Sequence, residues 1–189
     1  DGQAYLEAGD PQTWFLVRAL QGAARPGDVV AESAGPGYSK HTRIAMHTGL
    51  PTVVGWEWHL TQRGQSIEEI RARFEDLETL YGGGDSQTRR AVLDRYGVRW
   101  VVLADLENSR YGLSSDDSLA HVPGTIEVAN RDGAALYWID ETPHSRPSIE
   151  PIMRLPRGAS IVGRLPAARR AVLRSLALDD VGALVTLQD

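Results

Sequence analysis

Two capped helical segments that lead into an apolar strand, between positions 66 and 104, restrict the fold more than any other part of the sequence. In the first segment Ser66 and Glu69 have the spacing of a capping box, so a helix is expected to begin there. Apolar side chains then recur every three or four residues, which indicates one buried face. These side chains are Ile67, Ile70, Phe74, Leu77 and either Leu80 or Tyr81. Gly82 is a suitable end for this helix.

The second segment repeats this order and ends in the strand. Asp85 or Ser86 can cap a helix, Gly97 can stop it, and residues 98–104, VRWVVLA, are almost entirely apolar. The expected buried face of this helix consists of Val92, Leu93 and Tyr96. A helix, a glycine and a buried strand in this order are typical of an α/β layer with parallel strands.

The segments before position 57 fit the same class. A helix is predicted from Pro11, with Asp10 as its cap and a mostly apolar stripe. The stripe consists of Trp14, Val17, Leu20 and Gln21. Two short apolar runs, at 28–33 and at 52–56, predict buried strands. The periodicity of residues 40–47 favours neither helix nor strand.

Turn-rich and alternating segments follow the apolar strand. Residues 104–117 are polar, which predicts a loop, and residues 125–140 alternate about a turn at 131–133, as in a β-hairpin. Prolines and scattered polar residues predict a linker from Glu141 to Pro151. The tail beyond it fits either an amphipathic helix or two strands, and the second pattern resembles part of a β-repeat.

Together these elements predict an α/β fold class. The expected architecture is a Rossmann-like three-layer domain with a mainly parallel sheet, an antiparallel C-terminal hairpin, and a small β-rich or helical tail. The α/β domain is expected to span residues 1–140, and the linker and tail residues 141–189.

The composition argues against several classes of function. A formal net charge of −5 gives no electrostatic basis for binding nucleic acid or an anionic membrane surface. Cysteine is absent, which rules out disulfides and thiolate metal sites. No apolar run reaches the roughly 18 residues of a transmembrane helix, so this stretch of chain is expected to be soluble. Because it begins with Asp1 rather than Met, we expect a fragment of a longer protein.

Common enzyme and metal motifs are incomplete. The loop Gly35-Pro36-Gly37 lacks the full dinucleotide and Walker patterns, which favours a tight strand-exit loop over a nucleotide site. His41, His47 and His59 lack the spacing of metal ligands, and no metal or cofactor is predicted. His41 and His47 are instead expected to be hydrogen-bonded structural or rim residues. Ser33 lacks the elbow motif that would present a nucleophile.

Three carboxylates lie beside predicted strand ends, where open α/β sheets gather their ligands. They are Glu32, Glu57 and Asp105. Paired carboxylates suit acid–base chemistry, but for each of the three the sequence favours a solvated or helix-capping role.

The most distinctive cluster of aromatic and polar residues lies between positions 56 and 63. Its members are Trp56, Trp58, His59, Gln62 and Arg63. Aromatic faces suit a sugar ring, and a guanidinium binds a lipid phosphate bidentately. Alternatively, one tryptophan fills the core and Arg63 pairs with an acid of the following helix. We expect Val53 and Val54 to be buried and the polar members to lie at the carboxyl end of their strand.

The order of motifs carries a further indication. Glu32 and a Gly-x-Gly-Tyr-Ser loop precede RIAMHTGLPTVVGWEWHLTQRG, a helix pair follows, and YGVRWVVLADLENSRYG comes last. This order resembles the carboxy-terminal extracytoplasmic region of the Chlor_Arch_YYY family of polytopic membrane proteins, over about residues 1–140. The matching positions are Arg43, Ile44, Thr48 to Trp56, His59, Gln62, Arg63, Gly64, Tyr96 to Val98, Leu106, Glu107 and Tyr111. One departure is EWHLTQRG, where the family reads xxHExQWRG, so an acid and a tryptophan are displaced.

The resemblance implies the extracytoplasmic domain of a membrane glycosyltransferase that uses lipid-linked sugars. The catalytic acid of such enzymes lies in an early loop between membrane helices, so no catalytic residue is expected in this chain. The domain would contact its own N-terminal transmembrane domain, cap the active site, and help hold the donor or acceptor. The predicted substrate-binding residues are Glu32, Tyr38, Arg43, Trp56, His59, Gln62, Arg63, Glu107 and Tyr111. The alternative function is a non-enzymatic carbohydrate- or protein-binding module of a membrane protein.

Overall fold

The structure is a computed structural model that describes residues 2–113 and 119–140, together with the backbone of residues 160–162 and 184–186. Four strands form a mixed sheet: β1 (Val29–Ala31), β2 (Val98–Leu103), β3 (Thr125–Arg131) and β4 (Ala134–Ile139). Their order in the sheet is β1-β2-β4-β3. Two three-residue strands, β5 (Ser160–Val162) and β6 (Leu184–Thr186), continue the sheet beyond β3.

Helices precede the first strand and connect β1 to β2 and β2 to β3 in the described part of the chain. They are α1 (Gly2–Gly9), α2 (Pro11–Ala23), α3 (Arg43–Thr48), α4 (Glu57–Gln62), α5 (Ile67–Gly82), α6 (Ser86–Arg95) and α7 (Asp105–Tyr111), with a 3-10 helix at Leu119–His121.

Local capping signals set the starts of the three longest helices, as predicted. The Asp10 side chain accepts the backbone N–H of Thr13 at the start of α2, at 3.1 Å. Ser66 accepts the backbone N–H of Glu69 in α5, at 3.2 Å. Asp85, rather than Ser86, caps α6 and accepts two backbone N–H groups of its first turn. Each contact joins residues no more than three positions apart, so the sequence was sufficient to predict it.

The predicted hairpin is confirmed as β3 and β4. Asp132 and Gly133 connect the strands with φ values of 49° and 82°, and positive φ at both central residues suits the twist of a two-residue hairpin turn. All six residues of β4 are buried, because helices cover both faces of the sheet there.

The prediction of a mainly parallel, Rossmann-like sheet is wrong. Strands β1 and β2 are parallel, but β4 runs antiparallel to both β2 and β3. The chain leaves β2 through α7 and returns as the hairpin, whose second strand pairs with β2. That strand occupies the place where a Rossmann fold would carry another parallel strand.

The prediction of a strand at 52–56 is also wrong, although Val53 and Val54 are buried as expected. Only Thr52 pairs with β1, through a single parallel bridge to Val30. The carbonyl of Val53 accepts a hydrogen bond from the Arg73 side chain at 2.8 Å, so a side chain of α5 replaces the strand partner. The chain then turns into α4.

The predicted loop at 104–117 contains a helix, α7. Asp105 and Glu107 lie in its first turn and Arg110 in its last, which complements the helix dipole, and Gly112 ends it at φ 64°. Residues 114–118, the predicted linker, and the choice between helix and strands for the tail lie outside the described residues, apart from β5 and β6.

Two hydrophobic cores lie on opposite faces of the sheet. Alternate residues of β4 supply them: Leu136 and Trp138 join the core with α2 and Ile44, whereas Tyr137 and Ile139 join the core with α5 and α6. In α2 the buried face includes Val17 and Leu20 as predicted, but the other two predicted members, Trp14 and Gln21, are only half-buried.

Candidate functional site

A bidentate ion pair between Arg43 and Glu107 lies at the centre of the candidate site. The two guanidinium nitrogens Nη1 and Nη2 donate to the two carboxylate oxygens at 2.8 and 2.9 Å. Both side chains are buried, at 5% and 0% exposure, and Arg43 Nε donates to the Thr13 hydroxyl at 2.8 Å. Burial lowers the pKa of Arg43, but its hydrogen bonds and charge pairing with Glu107 outweigh burial and raise the pKa overall. The pair fastens α3 to α7.

Glu32, the residue after β1, caps α3 from outside the helix. Its two carboxylate oxygens accept the backbone N–H groups of Ile44 and Ala45 at 2.7 and 2.8 Å. Burial raises the pKa of Glu32 to about 7, against the opposing effect of these N–H groups and of Arg43. The N-cap residue of α3, Thr42, makes no side-chain cap of its own.

Ser33 and His41 extend this network toward the surface. The Ser33 backbone N–H donates to Glu107 at 2.9 Å, and its hydroxyl lies 3.1 Å from His41 Nδ1. Burial lowers the pKa of His41, and the charges of Arg110 and Arg43 lower it further. The His41 ring packs on Gly35 so closely that a Cβ there would lie 2.2 Å from the imidazole Cδ2.

Tyr111 closes the network from α7. Its hydroxyl accepts the backbone N–H of Ala34 at 3.3 Å, and its ring stacks on Tyr81 at 4.8 Å. Burial raises the pKa of Tyr111 to about 12, so the phenol is neutral near pH 7. Tyr81 in turn donates to the Val102 carbonyl of β2 at 2.9 Å.

An aromatic cluster formed by Tyr38, Trp56 and His59 lies beside this network. The ring of Trp56 is 5.2 Å from both other rings, and Tyr38 and His59 meet edge to face at 5.5 Å. The Tyr38 hydroxyl lies 3.3 Å from His59 Nε2. The Trp56 indole N–H donates to the His41 carbonyl at 3.1 Å, which joins the cluster to the buried network.

Seven of the nine predicted binding residues thus fall into two connected groups. Glu32, Arg43, Glu107 and Tyr111 form the buried network, and Tyr38, Trp56 and His59 form the aromatic cluster. Gln62 and Arg63 are exposed at the end of α4, not at the end of a strand as predicted. Within the described part of the chain Arg63 makes no ion pair, so the expected pairing with the next helix is not found.

The remaining candidates do not join either group. Glu57 is exposed at the start of α4, and Asp105 is exposed at the start of α7. In the described ranges no three His, Asp or Glu side chains are grouped closely enough to hold a metal ion. Ser33 is fully buried, and its hydroxyl lies 3.1 Å from His41 Nδ1.

The sequence predicted a hydrogen-bonded structural or rim position for His41 but no contribution of Thr13 or Tyr81 to the network. Each lies in a different segment, and only the three-dimensional packing brings it to Arg43, Ser33 or Tyr111. The one local signal was Gly35, whose missing side chain makes room for His41.

Buried residues of the site form the supporting network, and other residues of the site are exposed to solvent. Glu32 and Glu107 are 1% and 0% exposed, and their carboxylates accept hydrogen bonds from backbone N–H groups and from Arg43. Tyr38 is 80% exposed, and Trp58 on α4 is 64% exposed. The exposed residues of the candidate site are therefore Tyr38 and Trp58 together with Gln62 and Arg63, whereas the polar network is buried.

Comparison with known proteins gives no match: no family model, no curated protein and no solved structure corresponds to this chain. Among the described helices, none combines the length and the apolar character needed to span a membrane.

Proposed function

We propose that the chain is the extracytoplasmic domain of a membrane glycosyltransferase of the Chlor_Arch_YYY type, which uses lipid-linked sugars. The domain covers an active site in its own N-terminal transmembrane domain at the cell membrane and helps hold the donor or acceptor. It contributes no catalytic residue. The motif order supports the family, and the aromatic cluster supports the binding role.

The observation that carries the binding role is the exposed ring of Tyr38. The ring is 80% exposed, although it packs on Trp56 and His59. Its backbone has a φ of 59°, a conformation that residues with a side chain seldom adopt and that is concentrated at functional sites. A supported ring with one face in solvent suits the apolar C–H face of a pyranose.

Arg63 supports the assignment of a lipid phosphate as the second part of the ligand. It lies four residues after His59, which places both side chains on the same side of α4 and its end. It is exposed and makes no ion pair among the described residues. A guanidinium in this situation can bind a phosphate through two parallel hydrogen bonds.

Calorimetry of the 189-residue chain tests the binding role. The probes are glucose and mannose linked through phosphate to a short prenyl chain. Tyr38→Ala is expected to weaken binding roughly tenfold, the value of one aromatic stacking contact. Tyr5→Ala is the matched control, because Tyr5 is 75% exposed but lies on α1, and it should stay within about twofold of wild type. Equal losses in both variants, or no binding by wild type, would contradict the proposal.

Sugar transfer by the whole membrane protein tests the family assignment. His59→Ala and Arg63→Ala should reduce transfer from a polyprenyl-phosphate sugar, because both side chains belong to the proposed donor surface. Both residues are on α4 or at its end and are not part of the cores, so the fold should persist. Unchanged transfer in both variants would remove them from the site.

A non-enzymatic binding module is the second candidate, because the aromatic cluster is complete within this chain. Such a module would bind a free oligosaccharide as tightly as the prenyl-phosphate sugar. The enzyme domain should instead prefer the phosphate-linked probe and lose that preference in Arg63→Ala.

A further inference from the structure

The start of α3 depends on one carboxylate. This six-residue helix has no side-chain cap from its own N-cap residue, Thr42, which sits at φ 62°. The two oxygens of Glu32 instead accept the N–H groups of Ile44 and Ala45. A β-branched residue in the left-handed region is strained, so contacts around it must hold it in place.

The same segment holds the aromatic cluster. His41 directly precedes Thr42, and its carbonyl accepts the Trp56 indole N–H at 3.1 Å. The Thr42 backbone N–H donates to the Ser33 carbonyl at 3.1 Å, next to Glu32 in the chain. A change in the position of the first turn of α3 is therefore transmitted to Trp56 across three residues of backbone.

Protonation changes the number of hydrogen bonds that the Glu32 carboxyl group can accept from backbone N–H groups. An ionised carboxylate offers both oxygens as acceptors, whereas a neutral carboxyl group carries a hydroxyl that donates. The neutral form therefore satisfies one N–H of α3 well and leaves the other with a poorer partner. The ionised form fixes the first turn through both.

Several charged and titratable groups face Glu32. Arg43 of α3 favours the ionised form, and Glu107 of α7 opposes it. Tyr81 of α5 also lies near Glu32. Burial raises the pKa of Tyr81 well above its usual value, and the negative charge of Glu32 raises it further, so the phenol remains neutral. Because burial raises the pKa of Glu32 to about 7, both protonation states are populated near neutral pH.

We propose that Glu32 is a pH-dependent positioning residue, which orders the aromatic cluster when ionised and loosens it when protonated, through the first turn of α3 and the His41 carbonyl. The coupling itself is a property of the fold. Its consequence for ligand binding rests on the proposed function.

Nuclear magnetic resonance of the ligand-free 189-residue chain tests the coupling. The signals to follow between pH 5 and 9 are the backbone amides of Ile44 and Ala45 and the indole N–H of Trp56. In wild type all three should titrate with one midpoint near 7. In Glu32→Gln that common midpoint should disappear, because the amide side chain does not ionise.

His59 is an ionisable neighbour of Trp56 and requires its own control. In His59→Gln the shared midpoint of Ile44, Ala45 and Trp56 should persist. A Trp56 titration that vanishes in His59→Gln but persists in Glu32→Gln would overturn the proposal. If Glu32→Gln does not fold, different midpoints for Ile44 and Trp56 in wild type would overturn it equally.

The consequence for binding is measured with the same prenyl-phosphate hexoses at pH 6 and pH 8. Wild type should bind roughly fivefold more weakly at pH 6, the effect of losing one hydrogen bond that orders the site, and Glu32→Gln should show no such change. A shared midpoint without any binding at either pH would refute the proposed function but retain the coupling. Binding that is equal at both pH values in wild type would refute the regulatory consequence.

Discussion

The side chains of the candidate site are of two kinds: buried ones that fix the backbone through hydrogen bonds, and exposed ones. Arg43, Glu32 and Glu107 are buried, and their hydrogen bonds join them to one another, to backbone N–H groups or to the Thr13 hydroxyl. Tyr38 and Trp58 leave most of their surface in solvent, at 80% and 64% exposure. Substitutions in the first set should change stability, and those in the second should change binding.

Arg43→Met should destabilise the fold by about 3–5 kcal/mol, because it leaves the Glu107 carboxylate buried without its partner. Arg95→Met is the matched control: Arg95 also binds an acid, Asp76, but its side chain is 59% exposed, and exposed pairs contribute little to stability. Urea denaturation measures both. A loss below about 1 kcal/mol in Arg43→Met would show that the buried pair is dispensable.

Glu32 should make stability depend on pH in a defined direction. Its pKa is about 7 in the folded protein against 4.5 for the free side chain, so the folded state binds the proton more tightly. The protonated carboxyl group therefore adds about 3 kcal/mol to the free energy of unfolding below about pH 4.5, and this contribution is lost as the pH rises through 7. The difference in unfolding free energy between wild type and Glu32→Gln, followed by urea denaturation from pH 4.5 to 8, isolates this term. A difference that is constant across that range would contradict the burial of this carboxyl group.

At the scale of elements, the loop between β1 and α3 is held by contacts with residues far away in the sequence, whereas the helix caps involve only near neighbours. The loop contains both Tyr38 and Thr42 at positive φ and brings His41 onto Gly35. The caps of α2, α5 and α6 involve only neighbours in sequence. The loop therefore depends on the whole site, whereas each cap affects one helix.

Gly35→Ala should displace His41 and destabilise the protein by about 1–3 kcal/mol, because the new Cβ would lie 2.2 Å from the imidazole. Gly37→Ala is the control two residues away, where the nearest atom to the new Cβ is 3.9 Å distant. Thermal unfolding compares the two. Equal transition temperatures would show that the loop can relax around His41.

Asp85→Ala should destabilise the protein through loss of a helix cap, since Asp85 accepts the N–H groups of Gln87 and Thr88 at the start of α6. Ser86→Ala should change little, because Ser86 is the first helical residue and not the cap. Chemical denaturation of the two variants distinguishes the alternatives that the sequence left open. A larger loss in Ser86→Ala would reverse the assignment.

For the whole molecule, a feature could be predicted from the sequence when the residues that form it are close together along the chain. Caps, the hairpin and the α5–α6–β2 order were predictable because they depend on near neighbours. The insertion of β4 beside β2 was not, because an apolar strand such as β2 has the same composition with a parallel or an antiparallel neighbour. The helix α7 could not be predicted from its composition, because its polar residues are as common in exposed helices as in loops.

The candidate site shows the same division. The motif resemblance named Glu32, Arg43, Glu107 and Tyr111, and the structure brings these four together. Their buried, supporting position did not follow from residue type, since Arg and Glu are usually exposed. The orientation of Tyr38 depends on backbone strain that no pattern in the sequence indicates.

The most direct test is the tryptophan indole N–H spectrum of the chain, recorded during titration with a prenyl-phosphate hexose. The five tryptophans provide five separate probes, of which Trp56 and Trp58 lie at the proposed surface and Trp100 and Trp138 are buried. Binding at the aromatic cluster should shift Trp56 and Trp58 and leave Trp100 and Trp138 in place. Shifts confined to Trp14, or no shift at a saturating concentration, would contradict the assignment of this surface to a lipid-linked sugar.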